Sequence, residues 1–161
     1  MKPFFRTALP TALVLALLSA CGADDGTATD LAATEVFGPT MRPGDNCLRC
    51  HSQGTKENLE QNAPVWSAGG TVYARKDAER GEGVAGVNVK ITDATSRVVE
   101  LRTNEVGNFF TRTPLTKPYR VAIEYQGKTK EMPIEAPAGS CNACHSWPDP
   151  VGGAPGRIYV P

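Results

Sequence analysis

The sequence predicts an all-β chain, a small β-sandwich flanked on both sides by cysteine-bearing extensions in loops or short helices. Three observations carry that expectation. Six short segments rich in Val, Ile, Tyr, Phe and Thr follow one another within residues 66–136: "GGTVYAR", "GVNVKITD", "RVVELRT", "GNFFTR", "YRVAIEY" and "KTKEMPIEA". Turn-forming stretches such as "DAERGEGVAG", "DATSR", "TNEVGN" and "TPLTKP" separate them. Alternation puts Val87, Val89 and Ile91 on one face, and Val121, Ile123 and Tyr125 on another. Short alternating strands at this spacing read as a sandwich or barrel of about six or seven strands.

In chain order, residues 1–20 come first. Lys2 and Arg6 precede an apolar stretch from Thr11 to Leu18, and small residues then lead to Cys21. This is an export signal, because the apolar run falls far short of the ~20 residues a bilayer span needs. Leu18-Ser19-Ala20-Cys21 resembles the bacterial lipobox, which implies acylation of Cys21 and a lipid anchor in a bacterial membrane, at the outer membrane or the periplasmic face. Gly22 after Cys21, in place of Asp, is compatible with outer-membrane sorting. Ordinary cleavage nearby, leaving Cys21 as a stray thiol, is the alternative. Removing residues 1–20 leaves 141 residues with fifteen basic against seventeen acidic side chains. That balance argues against a nucleic-acid footprint, which needs a clustered basic excess.

Residues 21–44 are rich in Gly, Ala, Thr, Asp and Pro and read as a tether, with Val36, Phe37 and Met41 as candidates to dock on the body. A flexible chain of that length reaches on the order of 25–30 Å. Residues 45–65 form the first cysteine segment, in which Lys56 to Gln61 is expected as one or two helical turns ended by Pro64. The sandwich spans 66–136, and residues 137–161 form the second cysteine segment, closing with "GRIYVP" as a short strand or arm. Such an arm is a candidate for self-association.

The order "GTV … GVAGVNVKITDA … LRTNEVGNFF … YRVAIEYQGK" resembles the carboxypeptidase regulatory-like domain over roughly seventy residues. Thr103, Asn104, Gly107 and Phe109 match its T-(N/D)-x-x-G-x-F turn. The resemblance implies a transthyretin-like or immunoglobulin-like sandwich, with Phe109 in its core. It implies no chemistry, since that family shares no catalytic residues.

The chemistry sits in "NCLRCHS" and "SCNACHSW", which contain Cys-x-x-Cys-His twice and hold both histidines of the chain. Two thiols at that spacing meet the two vinyl groups on one edge of a porphyrin, and the next residue brings an imidazole under the iron. Cys47, Cys50 and His51 are thus expected to hold one covalent haem c, and Cys141, Cys144 and His145 a second. Two histidines scattered at random would both follow the cysteine pairs only about once in ten thousand trials, so chance explains the pattern poorly. A four-cysteine zinc site and two disulfides remain as alternatives, but neither gives the histidines a role.

On this reading the chain is a dihaem c-type cytochrome lipoprotein, an electron carrier with redox partner proteins in the cell envelope and no catalytic residues of its own. An open haem position would admit catalysis. Only one histidine is present per iron. Met41 and Met132 are the methionine candidates for distal ligands, with Lys128 and Lys130 as other options and core packing as the ordinary role of Met132. Trp147 and Pro148 are placed to cover a haem face. Arg49, Lys56 and Arg157 are candidate partners for propionates. The competing class is a non-redox binding or adhesion sandwich stapled by zinc or disulfides, which a thin core would favour.

Overall fold

The structure, a computed structural model, describes residues 38–161. The expected signal segment, Cys21 and the tether up to residue 37 lie outside the described residues.

Two short helices come first, α1 (Cys47–His51) and α2 (Lys56–Gln61). Thr55 caps α2 by accepting a hydrogen bond from the Asn58 amide at 3.2 Å. Asn62 ends it in the left-handed conformation, which Asn tolerates better than most residues. The expected helix over Lys56–Gln61 is therefore observed, with its stop at Asn62, two residues before Pro64.

Six strands follow: β1 (Ala68–Tyr73), β2 (Asn88–Thr92), β3 (Val98–Arg102), β4 (Asn108–Thr111), β5 (Arg120–Tyr125) and β6 (Lys128–Glu131). They pack as two sheets, one ordered β3-β2-β5-β6 and the other built around β1, which pairs antiparallel with β4. After α3 (Cys141–Cys144), β7 (Ile158–Tyr159) adds to the far end of β1 in parallel. This is the all-β sandwich the sequence predicts, and "GRIYVP" supplies its seventh strand. β6 stops at Glu131 because Pro133 has no amide to continue the ladder.

The alternation holds. Val87, Val89 and Ile91 are at most 1 % exposed, and Ile123 joins them between the sheets with Val72 and Phe109. The turn between β3 and β4 shows why its residues are needed. Thr103 Oγ1 donates to the Val84 carbonyl and accepts from the Val87 amide, while Asn104 Oδ1 accepts from the amides of Val106 and Asn108. Gly107 has φ +80°, and a Cβ there would lie 2.4 Å from the Val72 carbonyl oxygen.

Residues 38–44 are packed on the body, because Asn108 Nδ2 donates to the Pro39 and Met41 carbonyls and the Gly44 amide donates to Thr71 Oγ1. Among the described residues no helix is long and apolar enough to cross a membrane.

Candidate functional site

β1 is buried along its whole length, on both faces. Its inner face carries Ala68, Gly70 and Val72 toward the core; its outer face carries Gly69, Thr71 and Tyr73. Both cysteine motifs pack against this strand. A Cβ on Gly69 would stand 3.3 Å from Cys47 Cβ, and one on Gly70 would stand 2.9 Å from Cys141 Cβ and 2.8 Å from Phe109 Cζ. The glycine pair is what admits them. Adjacent glycines weaken a strand, and inside one they mark a close approach by something else. That signal is present in "AGGTVY".

The second motif completes the edge of β1 that β4 does not cover. The Gly69 amide donates to the Gly139 carbonyl at 2.9 Å, and β7 takes over at Val72 and Tyr73. Between them the side chain of Asn142 stands in for a strand, with Oδ1 accepting from the Thr71 amide at 3.0 Å. Its Nδ2 donates to the Asp45 carbonyl at 2.9 Å and to Thr71 Oγ1 at 3.1 Å. Thr71 Oγ1 in turn donates to Asn108 Oδ1 at 2.8 Å. Asn142 is only 3 % exposed, so every one of these polar groups is matched inside the protein. Asn46 and Ser140, the residues immediately before the two motifs, also hydrogen-bond to each other. The motifs, about ninety residues apart in sequence, are therefore neighbours at one edge of the sandwich.

Their local geometries repeat. Cys47 Sγ points to the Asp45 carbonyl at 3.5 Å and Cys141 Sγ to the Gly139 carbonyl at 3.6 Å. Burial pushes both thiols up to about 12, far from the reactive thiolates of redox dithiols. His51 Nδ1 lies 2.7 Å from the Pro64 carbonyl and His145 Nδ1 lies 3.0 Å from the Gly156 carbonyl. A carbonyl only accepts, so each Nδ1 carries the proton and each Nε2 keeps its lone pair. Burial also lowers both imidazoles below the ordinary histidine value, favouring that neutral form. The two sites differ in cover. His51 is buried with its ring stacked on Trp66 at 3.5 Å, whereas His145 is half-buried and the nearby Trp147 is exposed.

Cys50 is disulfide-bonded. That state occupies a sulfur that thioether attachment requires. Among the described residues, no three His, Cys, Asp or Glu side chains converge as a metal-binding group.

The remaining candidates fall in varied places. Met132 packs on the core beside β6 and lines a groove with Arg120, Pro133 and Ile134, in company with no residue of either motif. Met41 lies in the docked segment, its carbonyl held by Asn108 and so three hydrogen bonds from Asn142, through Asn108 and Thr71. Lys130 is engaged with Tyr159, its Nζ 2.8 Å from the ring centroid, and Lys128 is exposed. Arg49 pairs with Glu57 at 3.2 Å, and Lys56 forms an exposed pair with Glu60 at 3.9 Å. Arg157 is buried, donating to the Gly44 carbonyl at 3.1 Å, with its guanidinium 4.9 Å from the centroid of the Tyr73 ring. It joins the C-terminal arm to the docked N-terminal segment. A cavity of about 570 Å³ opens beside α1, lined by Leu48, Arg49, Trp66, Lys117 and Tyr119 among others.

Comparison with known proteins returns no counterpart: no protein family, curated protein or solved structure matches this chain. What the site does must be argued from its residues.

Proposed function

We propose that the protein is an exported, lipid-anchored dihaem c-type cytochrome that carries electrons between partner proteins of the bacterial envelope. One observation carries the reading. Both histidines that follow a cysteine pair have Nδ1 fixed by a backbone carbonyl, which leaves Nε2 as a bare, oriented donor atom. Metal-ligating histidines are held in this way, and the hydrogen bond raises their basicity. Cys141, Cys144 and His145 fit the group and would hold one haem; Cys47, Cys50 and His51 would hold the other only with Cys50 released from its disulfide. Haem supplies the one-electron redox couple, and the protein supplies attachment, axial ligation and a local dielectric. Placement of both motifs on β1 would make the two haems neighbours, so that an electron received at one reaches the other without leaving the molecule. The carboxypeptidase regulatory-like resemblance supplies a scaffold for this role and no further activity.

A second reading is favoured by the disulfide at Cys50: a non-redox binding sandwich whose cysteines act as staples. Expression in a host with cytochrome c maturation separates the two. The dihaem reading expects a red protein whose mass is raised by two haems, both retained after denaturation, and His51→Ala or His145→Ala then alters the spectrum of one haem alone. A colourless protein of unshifted mass, with its cysteines in disulfides, would establish the stapled sandwich instead.

A further inference from the structure

The two motifs are alike in sequence and unlike in state. Cys47, Cys141 and Cys144 are free thiols, whereas Cys50 is disulfide-bonded. Covalent haem attachment adds a thiol across a vinyl group of the porphyrin, so a sulfur already bound to sulfur cannot take part. The histidines differ as well. His51 is only 5 % exposed, with Nδ1 2.7 Å from the Pro64 carbonyl and its ring stacked on Trp66 at 3.5 Å, 3° from parallel. The stack continues from Trp66 to Phe110 of β4 at 4.2 Å, and the Trp66 amide donates to the His51 carbonyl at 2.8 Å. Three rings thereby fasten the end of α1 to the sheet. His145 is half-buried and has no ring stacked on it among the described residues, and residues 147–153 beyond it are all exposed.

We infer that the two Cys-x-x-Cys-His motifs have different roles while Cys50 stays oxidised. The second is the haem attachment site, and the first is a structural clamp in which His51 joins α1 to β4 through Trp66 and Phe110. This rests on the covalent-haem reading and narrows it to one haem per chain in that state. Opening the first motif takes two changes. The Cys50 disulfide must be reduced by a dithiol, which gives up two electrons and two protons, closes to its own disulfide and leaves Cys50 and its former partner as thiols. The His51 ring must also leave Trp66, losing the stack and the Pro64 hydrogen bond together, and stacked aromatic pairs contribute beyond the area they bury. The second motif needs neither change.

The test is mass spectrometry of the full chain produced in a host that assembles c-type cytochromes, its free thiols alkylated with iodoacetamide under denaturing conditions before any reduction. The expected product carries one haem, found on the proteolytic peptide with Cys141 and Cys144, and its Cys50 is alkylated only after dithiothreitol. A second readout addresses the clamp. His51→Ala and Trp66→Leu should each lower the urea midpoint of the same protein, and the double variant should fall by less than the sum, because the two rings form one stack. Two haems on most chains, a single haem on the peptide with Cys47 and Cys50, or a Cys50 alkylated before reduction would overturn the division of roles and leave the cytochrome reading standing. An unshifted urea midpoint in His51→Ala, or fully additive losses, would overturn the clamp. A chain with no covalent haem at either motif would overturn the cytochrome reading itself, and the urea midpoints would still decide the clamp.

Discussion

Replacing Asn142 with alanine tests whether the two motifs are held together as described. The substitution removes one acceptor from the Thr71 amide and one donor from the Asp45 carbonyl. Thr71 Oγ1 keeps the Gly44 amide as donor and Asn108 as acceptor, so it is not orphaned. The Thr71 amide is, since its only other possible partner would be a strand that this edge of the sheet lacks. A buried orphan costs about 1–3 kcal/mol, and the weakened Asp45 carbonyl adds part of a second such penalty. The expected loss is about 2–4 kcal/mol, measured by urea denaturation followed by far-ultraviolet circular dichroism. Combined with Thr71→Val, the double-mutant cycle should return a coupling of about 0.5–3 kcal/mol, because both residues belong to one network. A loss below about 1 kcal/mol with no coupling would refute the claim that Asn142 serves as the missing strand.

Three further outcomes follow from the geometry. Gly70→Ala forces a Cβ to within 3.0 Å of Phe109 and Cys141, and should cost about 1–3 kcal/mol by overpacking; Gly81→Ala, with nothing within 4 Å of its Cβ, is the control expected to stay within about 0.5 kcal/mol in the same denaturation assay. Asp93 accepts hydrogen bonds from the Thr116 amide, the Thr95 hydroxyl and the amides of Arg97 and Thr95, which hold its carboxyl down to about 2. A depressed carboxyl contributes stability that is present above the ordinary aspartate value near 3.9 and is lost as pH falls through about 2; acid titration of stability should lose that limb in Asp93→Asn. In chain produced without haem attachment, alkylation of Cys47 and Cys141 at pH 8 should be strongly suppressed against the unfolded chain, since burial raises both thiols and leaves little thiolate. Equal labelling rates in folded and unfolded chain would contradict it.

Much of the fold can be read directly from the residues. A period of two is a local property, so Val87, Val89 and Ile91 declare a buried face before any partner strand is known, and all three are buried. Thr103, Asn104 and Gly107 act within a single turn, where side chain and backbone are covalently close, and their roles follow from chemistry alone. The Cys-x-x-Cys-His spacing is equally local. The chain order of its three side chains states the donor set, whatever the tertiary structure does with it.

The arrangement of the site belongs to another level. The contacts that join the two motifs run from Asn142 to Thr71 and Asp45, and from Ser140 to Asn46, across 71 to 97 residues. No periodicity reports such pairings. They arise because β1 has an edge with unsatisfied amides, and the nearest groups able to satisfy them come from the far end of the chain. The stack of Trp66 on His51 and the docking of residues 38–44 have the same origin: apolar rings and buried polar groups find partners only once the sheets have closed. The sequence alone names which side chains can carry the chemistry. Closure of the sandwich decides that they stand side by side, and which histidine is covered.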